Sequence, residues 1–188
     1  MTYPIIKKTQ KIIGKTIVFR NAQISDASFI LSLRTEEKKS RHLSSVSNQL
    51  SDQETWLLNY EHRENEAYFI IENKTGGELL GTVRLYDSNQ YSFCWGSWII
   101  KDGAPPSTAI ESALMVYSYA LDSLGFLTAH FQVNKENERV CAFHERFGAK
   151  RIAENEVEYK YTISNEDIRS SMQRYKRYLS TSLIIENK

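Results

Sequence analysis

A chain of 188 residues fits one domain with its own core and needs no disulfide or metal staple. Its 24 Lys and Arg against 23 Asp and Glu leave no global field to recruit nucleic acid or an anionic membrane, so a partner must be recognised locally. Cys94 and Cys141 form no CxxC pair and the four histidines show no zinc spacing, which predicts a reduced, cytoplasmic protein without a metal site.

Residues 1–15 carry Lys7, Lys8, Lys11 and Lys15 around two-residue apolar pairs, too short for a signal core or a membrane span. They read as a surface lead-in to a single domain over 16–188. Residues 16–22 are of β-branched strand type, and Ser25 and Asp26 suit the N-cap of a helix reaching about Glu37. The Ser/Asn-rich stretch 44–51 is a loop. Ser51-x-x-Glu54 has the form of a capping box for a second helix, with Trp56, Leu57 and Tyr60 on its apolar face. Segments 67–73 and 78–86 flank the turn Lys74-Thr-Gly-Gly77, and 91–100 follows Asp87-Ser-Asn, which predicts an antiparallel meander of three strands.

Lys101-Asp-Gly-Ala-Pro-Pro106 breaks the last of these strands. Thr108-x-x-Glu111 repeats the capping-box form, and Ile110, Ala113, Leu114, Tyr117 and Leu121 recur at helical spacing until Gly125 stops them. Then come a strand over 127–133, a helix over 137–147 closed by Gly148, a strand from Ala149 onward and a hairpin partner over 157–163. Ser164-x-x-Asp167 opens a C-terminal helix over 165–180, with Ile168, Met172, Tyr175 and Leu179 on one stripe. That stripe packs on the chain's own sheet or on a twin subunit, which leaves a homodimer open.

This element order resembles the GNAT (GCN5-related N-acetyltransferase) superfamily over residues 16–163. Four segments sharpen the likeness: Gly81-Thr-Val-Arg-Leu-Tyr86, Trp95-Gly-Ser-Trp98-Ile-Ile100, the helix opening at Thr108, and 137–148, similar to the family's Asn…Tyr/His-Glu-Lys/Arg-x-Gly segment. Within the superfamily the chain most resembles the RimJ/RimL-like branch and the enzymes that acetylate amino groups of nucleotide-linked sugars. The resemblance implies an α/β (α+β) GNAT fold: a mixed, mostly antiparallel twisted sheet of about seven strands flanked by helices, with an extra C-terminal helix. It also implies an acetyl-CoA-dependent N-acetyltransferase acting on a primary amine. An amino-sugar nucleotide is the first expected acceptor and a protein N-terminus the second. A non-catalytic acyl-CoA binder is the alternative class.

Acyl transfer from a thioester to an amine needs an anion cradle, donors for the developing oxyanion, and proton handling at both ends. By resemblance, the cradle is the loop and helix mouth at Gly103, Ala104, Ser107, Thr108 and Ala109. Family loops of the form Arg/Gln-x-x-Gly-x-Gly/Ala place Ala104 at the basic position and Ser107 at the middle glycine. Pro105 and Pro106 offer no N–H, so the Ser107 and Thr108 hydroxyls would substitute. The resemblance assigns the pantetheine arm and the oxyanion to backbone groups of Ser97, Trp98, Ile99 and Ile100, and a further pantetheine bond to Asn137, which as a residue also suits a helix N-cap. Gly96 within a strand signals a bulge or a close backbone approach. His144 stands where the family often has a Tyr that protonates the departing thiolate, a task an imidazole can perform near neutral pH. Ribosomal-protein acetyltransferases carry a Glu base where Gln132 lies; Gln cannot accept a proton, so His130, on the same strand face, Glu72 or a water relay would take its place. Cys141 precedes His144 by one helical turn without a third orienting group, which speaks against a Cys–His nucleophile. Arg84, Tyr86, Gln132 and Tyr91, with Arg41 and His42 in the early loop, are candidates to line an acceptor cleft.

Overall fold

The computed structural model describes residues 2–35, 47–179 and 182–187. Strands β1 (Lys11–Ile13) and β2 (Ile17–Asn21) form a hairpin, followed by a short 3-10 turn and helix α1 (Ala27–Thr35). Asp26 does not cap from its predicted position. It ends the 3-10 turn, and its carboxylate accepts from the Gln23 amide at 2.7 Å and pairs with Arg20. Helix α2 (Leu50–His62) starts one residue before Ser51, and Gln49 precedes it without a side-chain cap, so the Ser51–Glu54 capping box does not form.

The meander β3 (Ala67–Asn73), β4 (Leu79–Asn89) and β5 (Ser92–Ile100) is as expected, except that β4 runs through Asp87-Ser-Asn and turns at Gln90, whose φ is 53°. Helix α3 (Thr108–Ser118) continues into a π-helical turn over Tyr119–Leu124 and ends at Gly125, whose φ of 87° only glycine takes at no steric cost. The predicted box at its start is also replaced: Ser107 is the N-cap, and the buried Glu111 carboxylate reaches away to the β1–β2 turn. There it accepts from the amides of Thr16 at 2.7 Å and Ile17 at 3.3 Å, and from the Thr16 hydroxyl. β6 (Thr128–Asn134), α4 (Glu138–Arg146), β7 (Lys150–Glu154) and β8 (Glu158–Ile163) complete the alternating half. Ser164 caps α5 (Asn165–Arg174), which stops short of residue 180 and gives way to a 3-10 turn over Lys176–Tyr178.

The nine strands of the described residues form one sheet, ordered β7-β8-β6-β5-β4-β3-β2-β1-β9, where β9 is Ile184–Glu186. The expectation of about seven strands missed its outer edge, where β1 pairs with both β2 and β9. The lead-in is therefore not all surface: Ile6 and Ile12 are buried. The five-residue run 67–71 serves both faces of the sheet. Phe69 and Ile71 join α3 in the main core, while Tyr68 and Ile70 pack with Ile30 of α1 and Leu57 and Tyr60 of α2. The C-terminal stripe Ile168, Met172, Tyr175 and Leu179 lies against the main core.

Candidate active site

Every neighbouring pair of strands is antiparallel except β5 and β6, which pair in parallel only at Ser92–Thr128, Phe93–Ala129 and Cys94–His130. Beyond these residues the strands part. From Trp95 to Ile100, β5 has no partner on that side among the described residues, and β6 continues beside β8 alone. The fork opens a cavity of about 480 Å³ walled by residues 95–98 of β5, 130–134 of β6, Asn137 and His144 of the α4 segment, and Lys160 of β8.

A bulge shapes the β5 wall. Thr82 pairs with Ile99 and Arg84 with Gly96, so Val83 alone faces both Ser97 and Trp98. Ser97 takes a φ of 45°, and its carbonyl accepts from the Thr82 hydroxyl at 2.8 Å. A Cβ at Gly96 would lie 2.9 Å from the Tyr86 hydroxyl, so any larger residue there must displace the Tyr86 side chain. The bulge expected from Gly96 falls one residue on, at Ser97–Trp98, and the close approach at Gly96 is to the Tyr86 side chain and not to backbone. Trp98 Nε1 donates to Ser112 Oγ at 3.0 Å and so ties this wall to α3.

Ile99, Ile100, Gly103, Ala104, Ser107, Thr108 and Ala109 do not line the cavity; they carry the chain from the fork to the mouth of α3. At that mouth the Thr108 amide bonds to Pro105 and the Glu111 amide to Ser107. No described residue accepts from the amides of Ala109 and Ile110, and the buried Thr108 hydroxyl has no partner among the described residues. Orphan donors at the positive end of a helix dipole suit an anionic diphosphate. The residues present therefore fit a CoA-type ligand with its diphosphate at α3 and its arm in the fork, despite the two prolines.

Asn137 caps α4, accepting from the Val140 amide, and lines the cavity as well. His144 also lines it, but in another state than predicted. Its ring lies against Phe131, with centroids 4.2 Å apart, and against Trp95 at 5.2 Å, and burial pushes its pKa down to about 3. It is a neutral imidazole at neutral pH, able to offer one N–H but not to act as an imidazolium acid. Its Nδ1 has no partner among the described residues. Burial likewise raises the Cys94 thiol to about 11, so Cys94 is no thiolate nucleophile. Cys141 Sγ donates to the Asn134 carbonyl at 3.7 Å.

His130 and Gln132 line the cavity, whereas Glu72 is displaced from the role named for it. Glu72 accepts from Arg20 Nε at 2.6 Å at the β2–β3 pairing, with β4 standing between it and the fork strand β5. Arg84 is spent structurally too: it pairs with Glu66 and stacks on the rings of Trp56 at 5.1 Å and Tyr86 at 4.7 Å. Tyr86 itself reaches the cavity, and burial raises its hydroxyl pKa. Tyr91 packs edge-on against Tyr3 at 5.3 Å. Arg41 and His42 lie outside the described residues.

Sequence reasoning missed Asp87, Arg34 and Lys160 on the cavity wall, and Ser92, which bonds to His130 behind it. Asp87 belongs to a segment of turn composition, and Arg34 falls on a helix whose register alone does not show what it faces. Among the described residues no cluster of His, Cys, Asp or Glu could hold a metal, and no helix is long and apolar enough to cross a membrane.

A sheet split at one parallel pair, with a bulged strand leading from the split to an open helix mouth, is the architecture of a CoA-dependent N-acyltransferase. Residues 16–150 match the acetyltransferase (GNAT) domain family, and the chain belongs to that family of N-acetyltransferases. Among solved structures, the chain is similar to apo FdhC, a nucleotide-linked sugar GNAT. The two are 34% identical with a TM-score of 0.79, and the match covers 96% of this chain and all of FdhC. A GCN5-related N-acetyltransferase from Brucella melitensis shares the fold at 17% identity, with a TM-score of 0.77 and coverage of 96% of this chain and 90% of that one. A variant of the spermidine N-acetyltransferase SpeG from Vibrio cholerae does so at 18% identity, with a TM-score of 0.68 and coverage of 82% and 98%. No curated protein sequence matches the chain.

Proposed function

We propose that the chain transfers the acetyl group of acetyl-CoA to the amino group of a nucleotide-linked amino sugar, by direct attack of the amine on the thioester. The observation that carries the reading is the fork itself: unpaired β5 backbone, bulged at Ser97, between the α3 mouth and a cavity large enough for a sugar. In this reading the diphosphate of CoA rests on the Ala109 and Ile110 amides and the Thr108 hydroxyl. The arm follows residues 97–100 and Asn137. Amides released by the bulge stabilise the oxyanion, since donors fixed in a water-poor site need no reorganisation as charge develops. The neutral His144 N–H supports the departing thiolate. The sugar-nucleotide acceptor is supported by the 34% identity to a nucleotide-linked sugar GNAT over the full length of that chain. Arg34 and Lys160 in the cavity wall suit an acceptor that carries phosphates.

The test is free-thiol release from acetyl-CoA in the presence of 4-amino-4,6-dideoxy sugar nucleotides, with spermidine and an N-terminal peptide as parallel acceptors. Thiol release that depends on the sugar nucleotide is expected. Release with the peptide alone would transfer the assignment to protein N-termini, and binding of acetyl-CoA without turnover on any amine would make the chain a binder.

A further inference from the structure

The acceptor amine reaches the site as an ammonium ion and must lose a proton before it can attack. One group of polar side chains stands at the closed end of the fork. His130 is the last β6 residue paired to β5, at the apex of the fork. Its Nδ1 lies 2.7 Å from Ser92 Oγ and its Nε2 lies 3.6 Å from the Asp87 carboxylate. His130 and Asp87 both line the cavity, and Ser92 does not. Asp87 holds a φ of 48° on β4, where β4 and β5 lose register between Tyr86 and Asn89. Asp tolerates this left-handed conformation better than most residues, and it turns the carboxylate out of the strand's regular alternation.

We propose that Asp87 and His130 together form the ammonium-binding and deprotonating site for the acceptor, with Ser92 as the positioning residue; the proposal rests on the acyl-transfer reading above. In the tautomer whose Nδ1–H donates to Ser92 Oγ, Nε2 keeps its lone pair on the side of the Asp87 carboxylate, and an ammonium group between the two relieves their repulsion. An ammonium group placed there donates one N–H to Nε2 and a second to Asp87. One proton passes to Nε2, and the carboxylate offsets the positive charge that the imidazole gains. The amine lone pair then forms the N–C bond to the thioester carbon, and the C–S bond breaks. The second amine proton goes to the leaving sulfur as free CoA thiol, and the proton on His130 is released to water. The Asp87 side chain is 74% exposed and the His130 side chain 32%, so that release needs no conformational change.

The experiment separates binding from turnover. Wild-type protein is expected to bind an amino-sugar nucleotide more tightly than the analogue with a hydroxyl in place of the amine, and Asp87→Asn to abolish that preference while the acetyl-CoA KM stays unchanged. His130→Ala lowers kcat by about 100-fold or more, with partial rescue by added imidazole. Ser92→Ala lowers kcat by roughly 10-fold and Ser92→Thr restores it, a pattern that loss of fold alone would not give. A His130→Ala enzyme with wild-type kcat, or an Asp87→Asn protein that keeps the amine preference, would overturn the proposal. A wild type that prefers the amine but turns nothing over would count against transfer and leave the ammonium site standing.

Discussion

His144→Phe probes the part of the site whose chemistry depends most on burial. In the folded chain His144 has a pKa of about 3 where an unperturbed histidine has 6.5, because its ring is enclosed by aromatic neighbours. The unfolded chain therefore binds a proton that the folded chain refuses at any pH between these values. Stability contributed by the neutral ring is complete above about 6.5 and is lost as the pH falls, at about 1.4 kcal/mol for each pH unit. By pH 5 the loss is roughly 2 kcal/mol, which for a domain of this size lowers Tm by about 4–8 °C. Phe fills nearly the same space and has no proton to gain, so thermal unfolding of the variant should lack this component. The other histidines are common to both proteins, and the difference between the two Tm–pH curves reports His144. Acetyl-CoA binding should persist, and kcat should fall by roughly 10- to 100-fold, the range of one lost hydrogen bond to a developing charge. Parallel Tm–pH curves would refute the claim that His144 is buried and neutral.

Three further outcomes follow from the packing. Gly96→Ala should destabilise by about 1–3 kcal/mol, since the new methyl meets the Tyr86 hydroxyl, and Tyr86→Phe in the same chain should return much of that loss; urea unfolding of the four proteins of the cycle measures the coupling. Glu111→Ala strands the amides of Thr16 and Ile17 and should cost about 3–5 kcal/mol, read as a fall in the urea midpoint. Asn137→Ala should lower stability by only about 1 kcal/mol through the lost cap, yet raise the acetyl-CoA KM several-fold if its side chain also meets the arm; an unchanged KM restricts Asn137 to capping.

Local chemistry was the legible part of the chain. The apolar run 67–71, the helix from Thr108 to the Gly125 stop, the Asn137 cap and the Ser164 cap all rest on interactions within a few residues, and all are present. Capping failed where a stronger long-range partner competed, as at Glu111, whose carboxylate is taken by three donors nearly a hundred positions away. β1 and β9 were invisible because three-residue strands carry no period, and their pairing joins the two ends of the chain. The site divides along the same line. The irregularity beside Gly96 could be read from one glycine in an apolar strand, and the role of residues 97–100 from a resemblance. Glu72 could not be excluded until Arg20 was seen beside it, nor Asp87 included until the hairpin brought it to His130. The ionisation of His144 depends wholly on which rings surround it, a matter of tertiary packing that helix position does not encode.

The central claim is that the parted strands receive the thioester arm while the α3 mouth holds a diphosphate. A crystal structure with coenzyme A tests it most directly. The account predicts pantetheine density between residues 97–100 and 131–134, with the diphosphate oxygens on the Ala109 and Ile110 amides. Density for the ligand elsewhere, or an α3 mouth that stays closed to it at saturating concentration, would contradict the account.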